Sequence, residues 1–302
     1  MGEAGSSQAG SSSAALRPRR SVLYMPGANA RALEKAQGLA ADSLILDLED
    51  AVAPDAKAEA RDRVVDAVTS GAYGGRELTI RVNGLDTAWH ADDLAAAAGA
   101  GPAAVVVPKV NSPADVAAIE AGLVSGGAPD HTKIWAMVET PQAMLDCANI
   151  AAASERLTVL VMGTNDLAKE LHAEHVPGRQ PLLTGLGLCL LAARATGKVI
   201  LDGVYNDVRD LEGFAAECRQ GAQMGFDGKT LIHPGQLEAA NAAFAPDDDE
   251  IAASREIIEA FEAAEREGRG VATVNGRMIE NLHVENAQRV LAMADAIAAA
   301  GG

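Results

Sequence analysis

Polar residues able to do chemistry recur in this sequence at the ends of short apolar runs. One run closes on Asp47, Glu49 and Asp50, the next on Arg81 and Asn83, and later ones on Lys109, Glu139, Asn165 with Asp166, Asp202 with Tyr205 and Asn206, and His233. Glu139 and Asp166 are 27 residues apart. Two carboxylates at the ends of adjacent strands can hold one hard cation and leave positions open for substrate oxygens and water. Magnesium prefers that arrangement. The same pair also reads as structural carboxylates bonded to helix N-termini, because Pro141 follows Glu139 closely. Arg81 suits a carboxylate or a developing enolate oxygen through its paired donors. An ion pair with Asp50 or Glu49 is its other use, and the two are compatible. His172 and His175 lack the spacing that puts two imidazoles on one helical face, so they read as loop histidines. His233 reads as a cap for the turn at Pro234.

The elements that must position these residues follow from the pattern. Near-continuous apolar runs at 21–26, 43–49, 78–83, 103–110, 133–140, 158–165, 199–205 and 227–233 read as parallel strands buried on both faces. Between them lie Ala-rich segments of helical period, such as 30–41, 56–69, 113–122, 141–152 and 210–224. Strand and helix alternating in this way predict an α/β fold, a (β/α)8 TIM barrel, whose chemistry sits at the C-terminal strand ends. The glycine-rich dinucleotide turn of an open doubly wound sheet does not occur. Leu167–Lys198 is a long connection, and loops of that length usually serve function. The expected organisation is a disordered tail over 1–20, the barrel over 21–245 and a helical extension over 246–302, folded on its own barrel or on a neighbouring subunit. Within the extension, a helix to about Glu267, a Gly-rich hinge over 268–276 and a last helix from about Leu282 are expected.

Composition narrows the function classes. The 302 residues carry 25 Lys+Arg against 42 Asp+Glu, a formal charge of -17. A nucleic-acid partner needs a basic footprint and is not expected. No apolar run approaches the roughly 20 residues that span a bilayer, so no membrane association is expected. Three cysteines without a CxxC spacing argue against structural zinc or a disulfide framework and fit a reducing cytoplasm. Residues 1–16 lack the apolar region of a signal peptide.

The stretches RSVLYMPGANARALEKA, LILDLEDAV, IRVNGLDT, VVPKV, MVETPQAM, MGTNDLAKEL, LDGVYND and GFDGKTLIHPGQ resemble the citrate-lyase β-subunit-like family of coenzyme A ester lyases. That family includes malyl-CoA, β-methylmalyl-CoA and citramalyl-CoA lyases, and LCLLAARATG and IENLH are similar to its (3S)-malyl-CoA thioesterase branch. The resemblance implies Mg2+, with Mn2+ an alternative, coenzyme A as part of the substrate, a small 2-oxo or hydroxy acid as its partner, and a homotrimer or hexamer. It makes Glu139 and Asp166 the metal ligands, Arg81 the clamp on the thioester or enolate oxygen, and Glu49 and Asp50 supports of Arg81 and the metal waters. Arg31 and Lys35 resemble positions near the coenzyme A phosphates. The family's tail Asp, an acid/base, is replaced here by Glu280. The first expectation is reversible C–C cleavage of a short 3-hydroxyacyl-CoA to an acyl-CoA and a 2-oxo acid. Hydrolysis of (3S)-malyl-CoA and a non-catalytic, complex-bound subunit are the alternatives.

Overall fold

The computed structural model describes residues 16–301. The tail expected over 1–20 lies, for residues 1–15, outside the described residues. Two compact units divide the chain, Arg19–Phe244 and the segment from Ala245 onward.

In the first unit eight parallel strands close into a barrel in the order β1 to β8. They are β1 (Ser21–Pro26), β2 (Ser43–Asp47), β3 (Glu77–Arg81), β4 (Ala104–Val107), β5 (Lys133–Val138), β6 (Leu157–Met162), β7 (Val199–Asp202) and β8 (Gly228–Leu231). The helices are α1 (Ala30–Ala36), α2 (Lys57–Thr69), α3 (His90–Ala100), α4 (Pro113–Ser125), α5 (Pro141–Ala152), α6 (Thr164–Glu170), α7 (Leu183–Ala195), α8 (Leu211–Met224) and α9 (Leu237–Ala243). This is the expected (β/α)8 fold. Strand periodicity sorts the apolar side chains into two layers. Val22, Ile45, Val106, Trp135, Val159 and Leu201 form one cluster inside the barrel. Their chain neighbours Leu23, Leu44, Val105, Ile134, Leu160 and Ile200 join a second cluster beneath the helices.

Most expected strands overrun the observed ones at the C-terminal end. Beyond Asp47, Val107, Val138, Met162 and Asp202 the chain leaves the ladder, and the site residues sit on or just past those ends. At the opposite end, polar groups lock the barrel base. Arg19, assigned to the tail on sequence, makes two 2.7 Å bonds to Glu77, which also accepts from Ser43 Oγ at 2.7 Å. Arg20 pairs with Asp42 through bonds of 2.9 and 2.8 Å. This rim reads as stability and the other as chemistry.

In the second unit α10 (Asp248–Arg266) starts at a capping box between Asp247 and Glu250. The expected hinge is instead an antiparallel hairpin, β9 (Ala272–Val274) and β10 (Arg277–Ile279). Its loop, Asn275–Gly276, has both φ angles positive, at 49° and 76°. That geometry matches the twist of the strands, and Asn-Gly is its strongest sequence signal. Phe261, Ala264, Ala272 and Ile279 form the core of this unit, and α11 (Asn281–Ala299) follows.

Beside β7, β8 and α8 lies a largely buried ionic cluster that also takes in Arg179 from the chain between α6 and α7. Lys229 Nζ reaches Asp202 at 3.0 Å and Glu217 at 2.8 Å, and Arg179 Nη1 reaches Asp202 at 2.6 Å. Removing one partner of such a group strands charge in a medium that cannot solvate it. Asp202→Ala is therefore expected to lower the stability of the barrel by about 3–5 kcal/mol, read from urea unfolding. A change below about 1 kcal/mol would mean the cluster is solvated.

Candidate active site

Asp47 and Arg81 are register partners on β2 and β3, at the C-terminal rim. Asp47 accepts from Arg81 Nε at 2.6 Å and Nη2 at 2.8 Å, a bidentate pair. Arg81 Nη1 lies 2.7 Å from Glu49 and 3.7 Å from Asp50. The guanidinium also stacks on the Tyr24 ring, 4.7 Å from its centre. Burial works against the charge of Arg81, but Asp47, together with Tyr24 and Glu49, more than offsets it and holds its pKa well above the usual value. Asp47 takes two of the five N–H donors of the guanidinium, and Glu49 stands at ion-pair distance from Nη1 without accepting a hydrogen bond, so donors remain for a ligand.

Sequence reasoning gave Asp47 no role, although it is the principal partner of Arg81. The signal was present, because residues 47 and 49 are two apart and fall on one strand face. Lys57 was missed altogether. Its ammonium donates to Leu48 O at 2.8 Å, Glu49 O at 2.8 Å and Asn83 Oδ1 at 2.7 Å. It therefore staples the bend that carries Glu49 to the end of β3. Burial pulls the Lys57 pKa below its usual range.

On the facing side, Glu139 is 2% exposed and accepts the Lys109 backbone N–H at 2.7 Å. Lys109 adopts a left-handed φ of 53° to aim that donor. Gly163 has no room for a side chain, since a Cβ there would overlap the Glu139 carboxylate. Glu139 therefore spends one bond on the chain after β4, and α5 is capped instead by Thr140. Asp166 lies in the first turn of α6, with Lys109 Nζ 3.9 Å from its carboxylate.

Asp47, Asp50, Arg81, Glu139, Asn165 and Asp166 line one cavity of about 370 Å³. Glu49 joins them through Arg81. Arg31 and Lys35 lie on the exposed face of α1 and do not line this cavity. Glu280 belongs to the other unit, where it is exposed before α11 and its N–H meets His283 Nδ1 at 3.1 Å. His233 Nδ1 accepts from Gly235 N at 3.0 Å, which makes it a cap.

The cavity carries more negative than positive charge. Burial, then the charge of Asp166, push the Glu139 pKa up to about 7. Oxygen donors, a carboxylate pair and that surplus fit a hard divalent cation, which would take the place of the proton.

Residues 20–234 match the HpcH/HpaI aldolase/citrate lyase family. The chain belongs to that family. It is 56% identical over 284 residues to a (3S)-malyl-CoA thioesterase of Cereibacter sphaeroides, covering 94% of this chain and 97% of the relative. It is 37% identical over 284 residues to the citrate lyase subunit beta of Escherichia coli, covering 92% and 94%. A solved structure of the CitE protein of Mycobacterium tuberculosis, in complex with magnesium, acetoacetate and coenzyme A, matches with a TM-score of 0.75 and 31% identity, covering 91% of this chain and 97% of that one. Among the described residues, no helix is long and apolar enough to cross a membrane.

The raised Glu139 pKa has a sign that can be checked in ion-free protein. The folded value lies above the unfolded one, so this group favours the fold below the ordinary carboxylate range and ceases to as pH rises through about 7. Carbon-13 NMR of the Glu139 carboxyl is expected to give a midpoint near 7, and Asp166→Asn should move it down. A midpoint unmoved by that change would separate the two carboxylates electrostatically.

Proposed function

We propose that this chain is a Mg2+-dependent, cytoplasmic homo-oligomer, a trimer or hexamer, that hydrolyses (3S)-malyl-CoA to malate and coenzyme A. The observation that carries the reading is the single cavity in which two carboxylates, Glu139 and Asp166, face an arginine with donors to spare. Near-full-length identity of 56% to a (3S)-malyl-CoA thioesterase supports the substrate and the reaction.

Glu139 and Asp166 would hold the ion, which supplies Lewis-acid chelation of the malyl hydroxyl and carboxylate. Lys109 N–H and the bare Gly163 keep the Glu139 carboxylate turned into the cavity. Arg81 offers N–H groups not bonded to Asp47 to the thioester oxygen, which gains negative charge as water adds to the carbonyl carbon. Asp47 fixes the plane of that guanidinium, and Glu49 and Asp50 flank it. Burial raises the Glu49 pKa, and the charge of Arg81 opposes that rise. By the family resemblance Glu280 is an acid/base directing the water, and Arg31 and Lys35 lie near the coenzyme A phosphates.

C–C cleavage is the second reading. The same Arg81 donors would stabilise an acyl-CoA enolate as well as a tetrahedral oxyanion, and the citrate lyase subunit beta at 37% identity supports lyase chemistry in this family.

Incubation with (3S)-malyl-CoA and magnesium, followed by product analysis, separates the readings. Malate with free thiol is the expected outcome; glyoxylate with acetyl-CoA would replace hydrolysis by cleavage; neither would overturn both. Asp166→Asn is expected to abolish magnesium-dependent turnover without unfolding. Arg81→Lys keeps the charge but loses the planar fork, and should lower kcat by about 10²–10³-fold. Wild-type kcat in that variant would remove Arg81 from the chemistry.

A further inference from the structure

The two carboxylates proposed to hold the ion are fixed in different ways. Glu139 is pinned by its own bond to the Lys109 N–H and by the bare Gly163 beside it. The Asp166 carboxylate has, among the described residues, one side-chain partner, Lys109 Nζ at 3.9 Å. No side chain caps the helix that carries it, since the residue before α6 is Gly163. The position of Asp166 therefore depends on what holds its turn.

That turn is tied from outside by a pair of amides. Asn165 Nδ2 donates to Asn206 Oδ1 at 3.0 Å, and Asn206 Nδ2 donates back to Asn165 Oδ1 at 2.8 Å. The two bonds close a ring, so neither amide can rotate without losing both. Asn165 precedes Asp166 and lines the catalytic cavity, whereas Asn206 lies beyond the end of β7 and does not line it. Both residues are exposed, where water competes for each bond and a single one adds little. The strength of the tie comes from how firmly its two ends are mounted.

Asn206 follows a residue that is held from two sides. The Tyr205 carbonyl accepts from Nε2 of the buried Gln236 at 3.1 Å. Its hydroxyl donates to Asp210 at 2.6 Å, and its ring packs edge-on against the buried Phe214, with 6.0 Å between ring centres. At the other end, Thr164 packs on Gly203 so closely that a Cβ there would overlap its side chain. The start of α6 and the chain after β7 are thus already side by side, and little further freedom is lost when the amides meet.

We propose that Asn206 is a positioning residue that acts through Asn165: the reciprocal amide pair locks the first turn of α6 to the chain after β7 and so holds Asp166 where it can share a cation with Glu139. The inference rests on the ion site proposed above. Groups that orient a metal ligand without touching the metal typically carry roughly 10–100-fold in metal affinity.

The test is a double-mutant cycle on the full chain, with Mn2+ alone as the probe and electron paramagnetic resonance as the readout. Asn206→Ala is expected to weaken Mn2+ binding about tenfold or more while the chain keeps its cooperative urea transition. Asn165→Ala should show a loss of similar size, and adding Asn206→Ala to it should cost little more, because the tie is already gone. Should Asn206→Ala fail to fold, Asn206→Ser, which cannot exchange both bonds with Asn165, takes its place in the cycle. Unchanged affinity in the Asn206 variant, or an equal further loss from it whether or not Asn165 is present, would overturn the positioning role. Wild-type Mn2+ binding that is indifferent to both Glu139→Gln and Asp166→Asn would instead overturn the ion site, and the positioning role with it.

Discussion

Glu139 and Asp166 share the mouth of the barrel closely enough for the charge of one to raise the pKa of the other. Arg81 cannot neutralise them, because Asp47 and Glu49 already claim its charge. Lys109 offers Asp166 only a distant ammonium, at 3.9 Å. The backbone imposes this surplus: a left-handed residue at Lys109 pins Glu139 from one side, and Gly163 clears the space beside it. A site that holds negative charge against repulsion fits the cation proposed above.

The two ends of the barrel divide the work. At the base, Arg19 with Glu77 and Arg20 with Asp42 close the strand starts with short ion pairs. At the mouth, strands end early and irregular chain takes over, so side chains such as Asp50, Glu139 and Asp166 can line the cavity. Lys57 shows how that irregularity is controlled, since one ammonium satisfies two carbonyls of the bend and the amide of Asn83. Such a staple orders the rim without adding a group to the cavity.

Much of this was legible in the sequence, for physical reasons. Strands buried on both faces are apolar throughout, so Leu44–Leu46 and Val105–Val107 announce themselves, and polar residues at their ends stand out against that background. What escaped has reasons too. Asp47 sits at the end of an apolar run beside two more obvious acids, and nothing in one dimension says which acid meets Arg81. Lys57 lies in a polar helix start, where a lysine ordinarily points to water. The hairpin over 272–279 was read as a hinge because glycine was weighed as freedom; Asn275–Gly276 was the turn signal within it.

The charge surplus is tested most directly by counting ions. Mn2+ titrated into the full chain and followed by electron paramagnetic resonance should show one tight site per chain, displaced by Mg2+. That site should be lost in both Glu139→Gln and Asp166→Asn. Tight binding that survives both substitutions would contradict the account, because the cation would then sit somewhere other than between these two carboxylates.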